Sequence, residues 1–274
     1  MEPLKATTDA DERRQMAHVL RRWIVTQSLA SSVGHVGSAL SIADIMAALW
    51  GGAMHRVGTN DPDRDRFILG KGHAALALYA ALRYCGLMDE ATFTTFCADG
   101  SRLGVHPEHG LRGIEVSTGS LGQGLSVACG LALAFRRRRS PARVFVLMSD
   151  AECNEGQVWE AAMFAGHHGL SAVTAVLDWN GLQALGHTRD VIAIRSPATA
   201  WESFGWAACE VDGHDIEGVH AAAASASGGR PRVIVAHTVL GKGVPFMEDR
   251  LEWHYRNLTP ELAERALRHL DGER

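Results

Sequence analysis

The sequence predicts an α/β fold, with a mostly parallel central sheet and helices on both of its faces. Two apolar runs, 144–148 and 173–177, are short, rich in valine and almost unbroken, as strands buried on both sides are. Between them, residues 157–168 place Val158, Ala161, Ala162 and Ala165 on one helical face. Each run gives way to an oxygen-bearing side chain, Asp150 in Ser149-Asp150-Ala151 and Asn180 in Asp178-Trp179-Asn180-Gly181. In a right-handed strand–helix–strand unit both ends emerge at one edge of the sheet, where open α/β sheets bind ligands.

Taken in order, residues 9–30 read as an amphipathic helix with acidic residues in its first turn. It delivers the chain to Gly34-His35-Val36-Gly37, a tight turn able to present an imidazole, and a helix over 41–50 follows. Alone, such a histidine is more often structural or simply exposed. Residues 66–69 predict a short strand, ended by Gly70-Lys71-Gly72-His73, which opens a helix over 74–84. Glycines and a lysine before a helix can mark a phosphate nest, but the longer loop and the Ser or Thr of a Walker motif are missing.

Residues 87–112 predict a surface excursion containing His106-Pro107-Glu108. The loop from Gly113 through Ser117-Thr118-Gly119-Ser120-Leu121-Gly122-Gln123-Gly124 then leads into a helix over 125–135. A dinucleotide fingerprint would need a third glycine where Val127 stands. Strands are predicted over 206–211 and 232–238, helices over 218–226 and 260–270. Asp212 and His214, at a strand end, are assigned a turn or interface role. The arginine run 136–139 reads as a solvated helix C-terminus.

With 274 residues, 46% of them hydrophobic, the chain can bury a substantial core as a single domain spanning 1–274. A formal net charge of −4 gives no support for a nucleic-acid or membrane partner. Five scattered cysteines without a Cys-x-x-Cys pair fit reduced thiols, and no apolar stretch approaches the length of a membrane span. A soluble, cytoplasmic protein is expected.

A carboxylate and an amide oxygen at neighbouring strand ends suit a small hard cation, although an N-capping Asp and a turn Asn would look the same. The stretch around Asp150 and Asn180 resembles the thiamine-diphosphate motif, with Ser149 and Ala151 where that motif has glycines. The words at 34–37, 70–74, 104–108, 119–124 and 253–254 are similar to those of transketolase, and specifically to the N-terminal subunit of split transketolases. Val105 is inserted in the Gly-His-Pro-Glu word, and Tyr255-Arg256-Asn257-Leu258 replaces the Gly-rich continuation after His254.

The resemblance implies the diphosphate-binding domain of the thiamine-diphosphate fold, with Mg2+, or Ca2+ or Mn2+ in its place, held by Asp150, Asn180 and the Leu182 carbonyl. It implies cofactor contacts from His73, Gly119, Leu121, Asp150, Ala151, Glu155, Asn180 and His254. Catalytic roles fall to His35, His73, His106, His254 and Glu155, although Glu155 alone reads equally as a helix N-terminal carboxylate. The implied activity is transfer of a two-carbon ketol unit from a ketose or ketose phosphate to an aldose. The family's activating glutamate lies on a pyrimidine-binding domain, so a partner subunit carrying it, in an α2β2 assembly, is expected. The rivals are another thiamine-diphosphate enzyme, such as a 2-oxo-acid dehydrogenase α subunit or a deoxyxylulose-phosphate synthase, and a non-catalytic binding subunit.

Overall fold

The structure, a computed structural model, describes residues 9–272. Its centre is a sheet of five parallel strands: β1 (Arg66–Leu69), β2 (Val144–Ser149), β3 (Val173–Trp179), β6 (Ala207–Asp212) and β7 (Arg232–His237), in the order β1-β2-β3-β7-β6. A hairpin of β4 (Leu182–Gln183) and β5 (Gly186–His187) follows β3 outside the sheet.

Because alternate side chains leave a strand on opposite faces, one sheet feeds two apolar layers. Phe67, Leu69, Phe145, Leu147, Val176 and Ile234 pack against helices α1 (Ala10–Ser31), α2 (Val36–Ser41), α3 (Ala43–Ala48), α4 (Ala75–Tyr84), α10 (Ile216–Ala224) and α11 (Pro260–Leu270). Ile68, Val146, Met148, Ala175, Leu177 and Val235 pack against α6 (Gln123–Arg138), α7 (Gly156–His167) and α9 (Pro197–Glu202). Of two short helices, α5 (Glu90–Phe93) sends Phe93 into the first of these layers, and α8 (Thr188–Val191) lies outside both.

The expected elements are present, with shifts that have physical causes. The helix expected over 41–50 starts at Val36, breaks at Ile42, and ends in a wider π turn, Leu49–Ala53. The break places Asp44 in the first turn of α3, buried and bonded to Arg21 and His214. The strand expected to end at residue 177 continues through Asp178 and Trp179, because Asp178 finds buried donors and can stay inside the sheet. Residues 87–112 are not wholly superficial: Phe93, Phe96 and Leu103 are buried, with Phe93 against Trp23 at 6.1 Å and Phe96 against Tyr79 at 5.9 Å. The helix expected over 125–135 starts earlier, inside the glycine loop at Gln123. At its far end Arg136 donates to the carbonyls of His168 and Gly169, so that cation closes the C-terminus of α7 as well as ending α6. Among the described residues no helix is long and apolar enough to cross a membrane.

Candidate active site

Strands β2 and β3 pair in register, with Ser149 opposite Asp178, so their next residues meet at one edge of the sheet. There Asp150, fully buried, accepts from the Ala151 amide at 2.8 Å through Oδ1. Its Oδ2 accepts from the Gly181 amide at 3.0 Å and the Thr188 hydroxyl at 2.6 Å. Asn180 accepts from the Leu182 amide at 2.9 Å. One short turn thus brings Asp150, Asn180 and Leu182 together. Beside them opens a cleft of ≈ 580 Å³, lined by Trp179, Asn180, Thr188, Arg195 and Asp249 among others.

Burial pushes the Asp150 carboxyl up to about 6, opposed by the Thr188 hydroxyl and reinforced by the charge of Asp178. A buried carboxylate held back from its charge favours a neighbouring cation. Among the described residues no three His, Cys, Asp or Glu side chains converge as a metal cage. A carboxylate, an amide oxygen and a main-chain carbonyl form a sparse, hard donor set. Such a set fits a magnesium-like ion that completes its shell with phosphate and water oxygens.

The backbone at Ser149 and Ala151 does not require the glycines of the motif. Neither adopts a positive φ, and the Ser149 hydroxyl accepts from the Glu152 amide at 3.2 Å, closing the 3-10 turn Ala151–Asn154. Within that turn lies a residue the sequence did not single out. Glu152 is fully buried, and its two oxygens accept from Gly122 at 2.9 Å and Ser149 at 3.0 Å. It ties the glycine loop to the end of β2, and burial pushes its carboxyl up to about 7. Gln157 adds a bond to the Leu121 carbonyl at 2.7 Å.

Gly119 shows why that loop is glycine-rich: a Cβ there would lie 3.2 Å from the His106 ring, at a φ of +154°. Glu155 is exposed, makes no capping bond at the start of α7, and lies beside Gly122. Cys153 is buried, its thiol raised well above the usual range by that burial.

The histidines come from distant stretches. His35 sits in the left-handed region at φ 65°. The glycines on either side of it serve a close approach: a Cβ on Gly34 would meet the Tyr255 carbonyl oxygen at 2.4 Å, and one on Gly37 the Trp253 carbonyl oxygen at 2.9 Å. The 3-10 turn Leu251–His254 can therefore press onto the 34–37 turn. Three imidazoles gather there, with ring centroids 5.3 Å apart for His35 and His73, 5.4 Å for His35 and His254, and 5.4 Å for His73 and His254. His106 is exposed and covers Gly119.

Burial, then neighbouring positive groups including Lys71, lowers the three gathered rings: His73 well below the usual range, His254 to about 4 and His35 in the same direction. They are neutral near pH 7, with one nitrogen each free to accept a proton. The Nδ1 atoms of His35 and His254 are buried and have no hydrogen-bond partner among the described residues. Buried polar atoms rarely stay unpaired, so this is a place where a ligand is expected to supply the partner.

Other motifs resolve into structure. Lys71, a candidate phosphate ligand by its glycine neighbours, is buried and paired with Asp178. His214 accepts from the Val239 amide at 2.9 Å and bonds Asp44 at 2.8 Å, while Asp212 accepts from the His214 amide at 2.8 Å. Of the turn or interface role expected of the pair, Asp212 takes the turn, while His214 ties that turn to α3 and to the chain after β7.

Residues 12–269 match the family model described as transketolase, thiamine diphosphate binding domain. The chain is 37% identical to the 6-deoxy-6-sulfo-D-fructose transketolase subunit SqwG of Clostridium sp. (strain MSTE9), over 95% of this chain and 96% of that protein. It is 36% identical to an apulose-4-phosphate transketolase subunit of Phocaeicola vulgatus, over 90% of each. Its structure resembles that of a transketolase from Campylobacter jejuni with a TM-score of 0.85 and 26% identity, over 96% of this chain but 42% of that longer one.

Proposed function

The chain belongs to the transketolase family as a thiamine-diphosphate-binding domain, and on that premise we propose that it is the cofactor-diphosphate subunit of a two-component transketolase. The reaction is transfer of a two-carbon ketol unit from a ketose or ketose phosphate to an aldose. The observation that carries this reading is the convergence, at one sheet edge, of a sparse oxygen donor set with neutral histidines, two of whose Nδ1 atoms lack partners among the described residues. Two relatives matched over nine-tenths or more of their length are called transketolase subunits, which supports a partner chain. They are named for different sugars, so the donor and acceptor here do not follow from likeness.

We assign magnesium to Asp150, Asn180 and the Leu182 carbonyl. The diphosphate end of the cofactor falls to His73, Ala151, Asn180 and His254, and its rings to Gly119 and Leu121. When bound, thiamine diphosphate supplies the carbon nucleophile and electron sink for breaking and making C–C bonds. The chain's own part is to orient and to move protons. Neutral His35, His73 and His254, with His106 at the rim, accept and return protons of the sugar hydroxyls. Glu155, exposed beside the glycine loop, faces the pyrimidine-binding domain of the partner chain.

An α2β2 assembly and a cytoplasmic location belong to the same proposal, the latter supported by five cysteines that form no disulfide. So does a single domain over 1–274, supported by one sheet that feeds both apolar layers. Native mass spectrometry of the chain purified from its source tests the reading. A complex with a second polypeptide, carrying thiamine diphosphate and a divalent ion, is expected. A homo-oligomer that takes up neither when both are added would replace it with a non-catalytic role.

A further inference from the structure

Lys71 and Asp178 form the most deeply buried ion pair at the site. A buried pair is weak evidence for stability, since desolvation offsets much of its attraction. Its surroundings point elsewhere. The Asp178 carboxylate collects four donors from four parts of the chain. They are the Lys71 ammonium after β1, the Ser41 hydroxyl on α2 at 2.6 Å, the Thr238 hydroxyl after β7, and the Asn180 side-chain amide at 3.0 Å.

A carboxylate so surrounded only accepts, so the group Asn180 turns toward it must be its nitrogen. Asn180 Oδ1 then faces the other way, where it accepts from the Leu182 amide at 2.9 Å beside Asp150. An amide turned the other way would point N–H groups at a cation.

We propose that Asp178 is a positioning residue, held by Lys71, Ser41 and Thr238, that locks the Asn180 amide with its oxygen toward the cation site. This rests on the assignment of Asn180 to the metal under Proposed function. Because Lys71 lies two residues before His73, the same pair ties the histidine end of the site to the metal end.

The test is a double-mutant cycle on the full chain in complex with its partner. Thiamine diphosphate binding is titrated calorimetrically at several Mg2+ concentrations, and the melting temperature is followed without cofactor. Asp178→Asn is expected to weaken Mg2+-dependent binding about 10–100-fold, the range of outer-shell losses. In an Asn180→Ala background the same change should weaken it no further than about twofold. A purely structural role would cost affinity equally in both backgrounds and would overturn the proposal, as would Asp178→Asn binding within about twofold of the parent. If Asp178→Asn does not fold, Thr238→Val, which removes one donor, is put through the same cycle. A several-fold loss confined to the Asn180 background supports the proposal, and an equal loss in both overturns it. A parent chain that binds the cofactor with no metal dependence overturns the metal assignment itself, and the proposal with it.

Discussion

The two ends of the sheet each carry a buried acid paired with a base, and they are built to opposite purposes. At the end where strands begin, Asp65 before β1 meets Arg143 before β2. Asp65 accepts from the Arg143 amide at 2.8 Å, the Arg143 guanidinium at 2.6 and 3.1 Å, and the His55 amide at 2.9 Å. Every contact there closes on the protein itself. At the end where strands finish, Asp178 is equally well satisfied, but it stands among groups that are not. Two imidazole nitrogens lack partners among the described residues, and burial holds Asp150 near 6 and Glu152 near 7. A salt bridge alone therefore says little about function; the unpaired or perturbed titratable groups around it distinguish a site from a staple.

Substitutions at the two ends should separate accordingly. The largest effect is expected from Asp150→Ala, which should remove Mg2+-dependent thiamine diphosphate binding by at least about 100-fold, beyond a typical outer-shell loss. Undiminished affinity in a calorimetric titration would move the metal elsewhere. Next comes His73→Ala, expected to lower turnover of the complex with its partner about 100-fold, the scale of lost acid–base assistance. Steady-state rates close to the parent's would leave this histidine a structural part. At the opposite end, Asp65→Asn should cost about 2–3 kcal/mol of stability, toward the low side of broken buried pairs because Arg143 is partly exposed. Urea unfolding measures that cost, and cofactor affinity should not move. A parallel loss of affinity would break the contrast between the ends.

The smallest effect concerns pH. His254 titrates at about 4 in the fold, below the ordinary histidine value of about 6.5. Its stabilising share is therefore fully present above about 6.5 and is lost as pH falls toward about 4, because the unfolded chain takes up the proton first. Asp150 and Glu152, raised by burial, act in the opposite sense over neighbouring pH, their share fading as pH rises through about 6 and 7. The difference between parent and His254→Gln isolates the histidine. Melting temperatures of the variant should fall less steeply from pH 7 to 4.5, and identical slopes would mean His254 is not held neutral.

Local pattern was enough for much of this molecule. Buried runs, a helical period between them and small residues after them predicted parallel strands, and where those runs stop put Asp150 and Asn180 at one edge of the sheet. The resemblance to transketolase, word by word, flagged His35, His73, His106 and His254 one at a time. No local pattern could show that Gly34 and Gly37 are small so that residues 253–255, more than two hundred positions away, can lie against them. Nor could it place Lys71 under Asp178 rather than on a phosphate, or show that Glu152 turns inward. Those depend on contacts between distant segments. Whether a charged side chain is desolvated, and which donors meet it there, is settled only when the layers close over it, and with it the protonation of every group at the site.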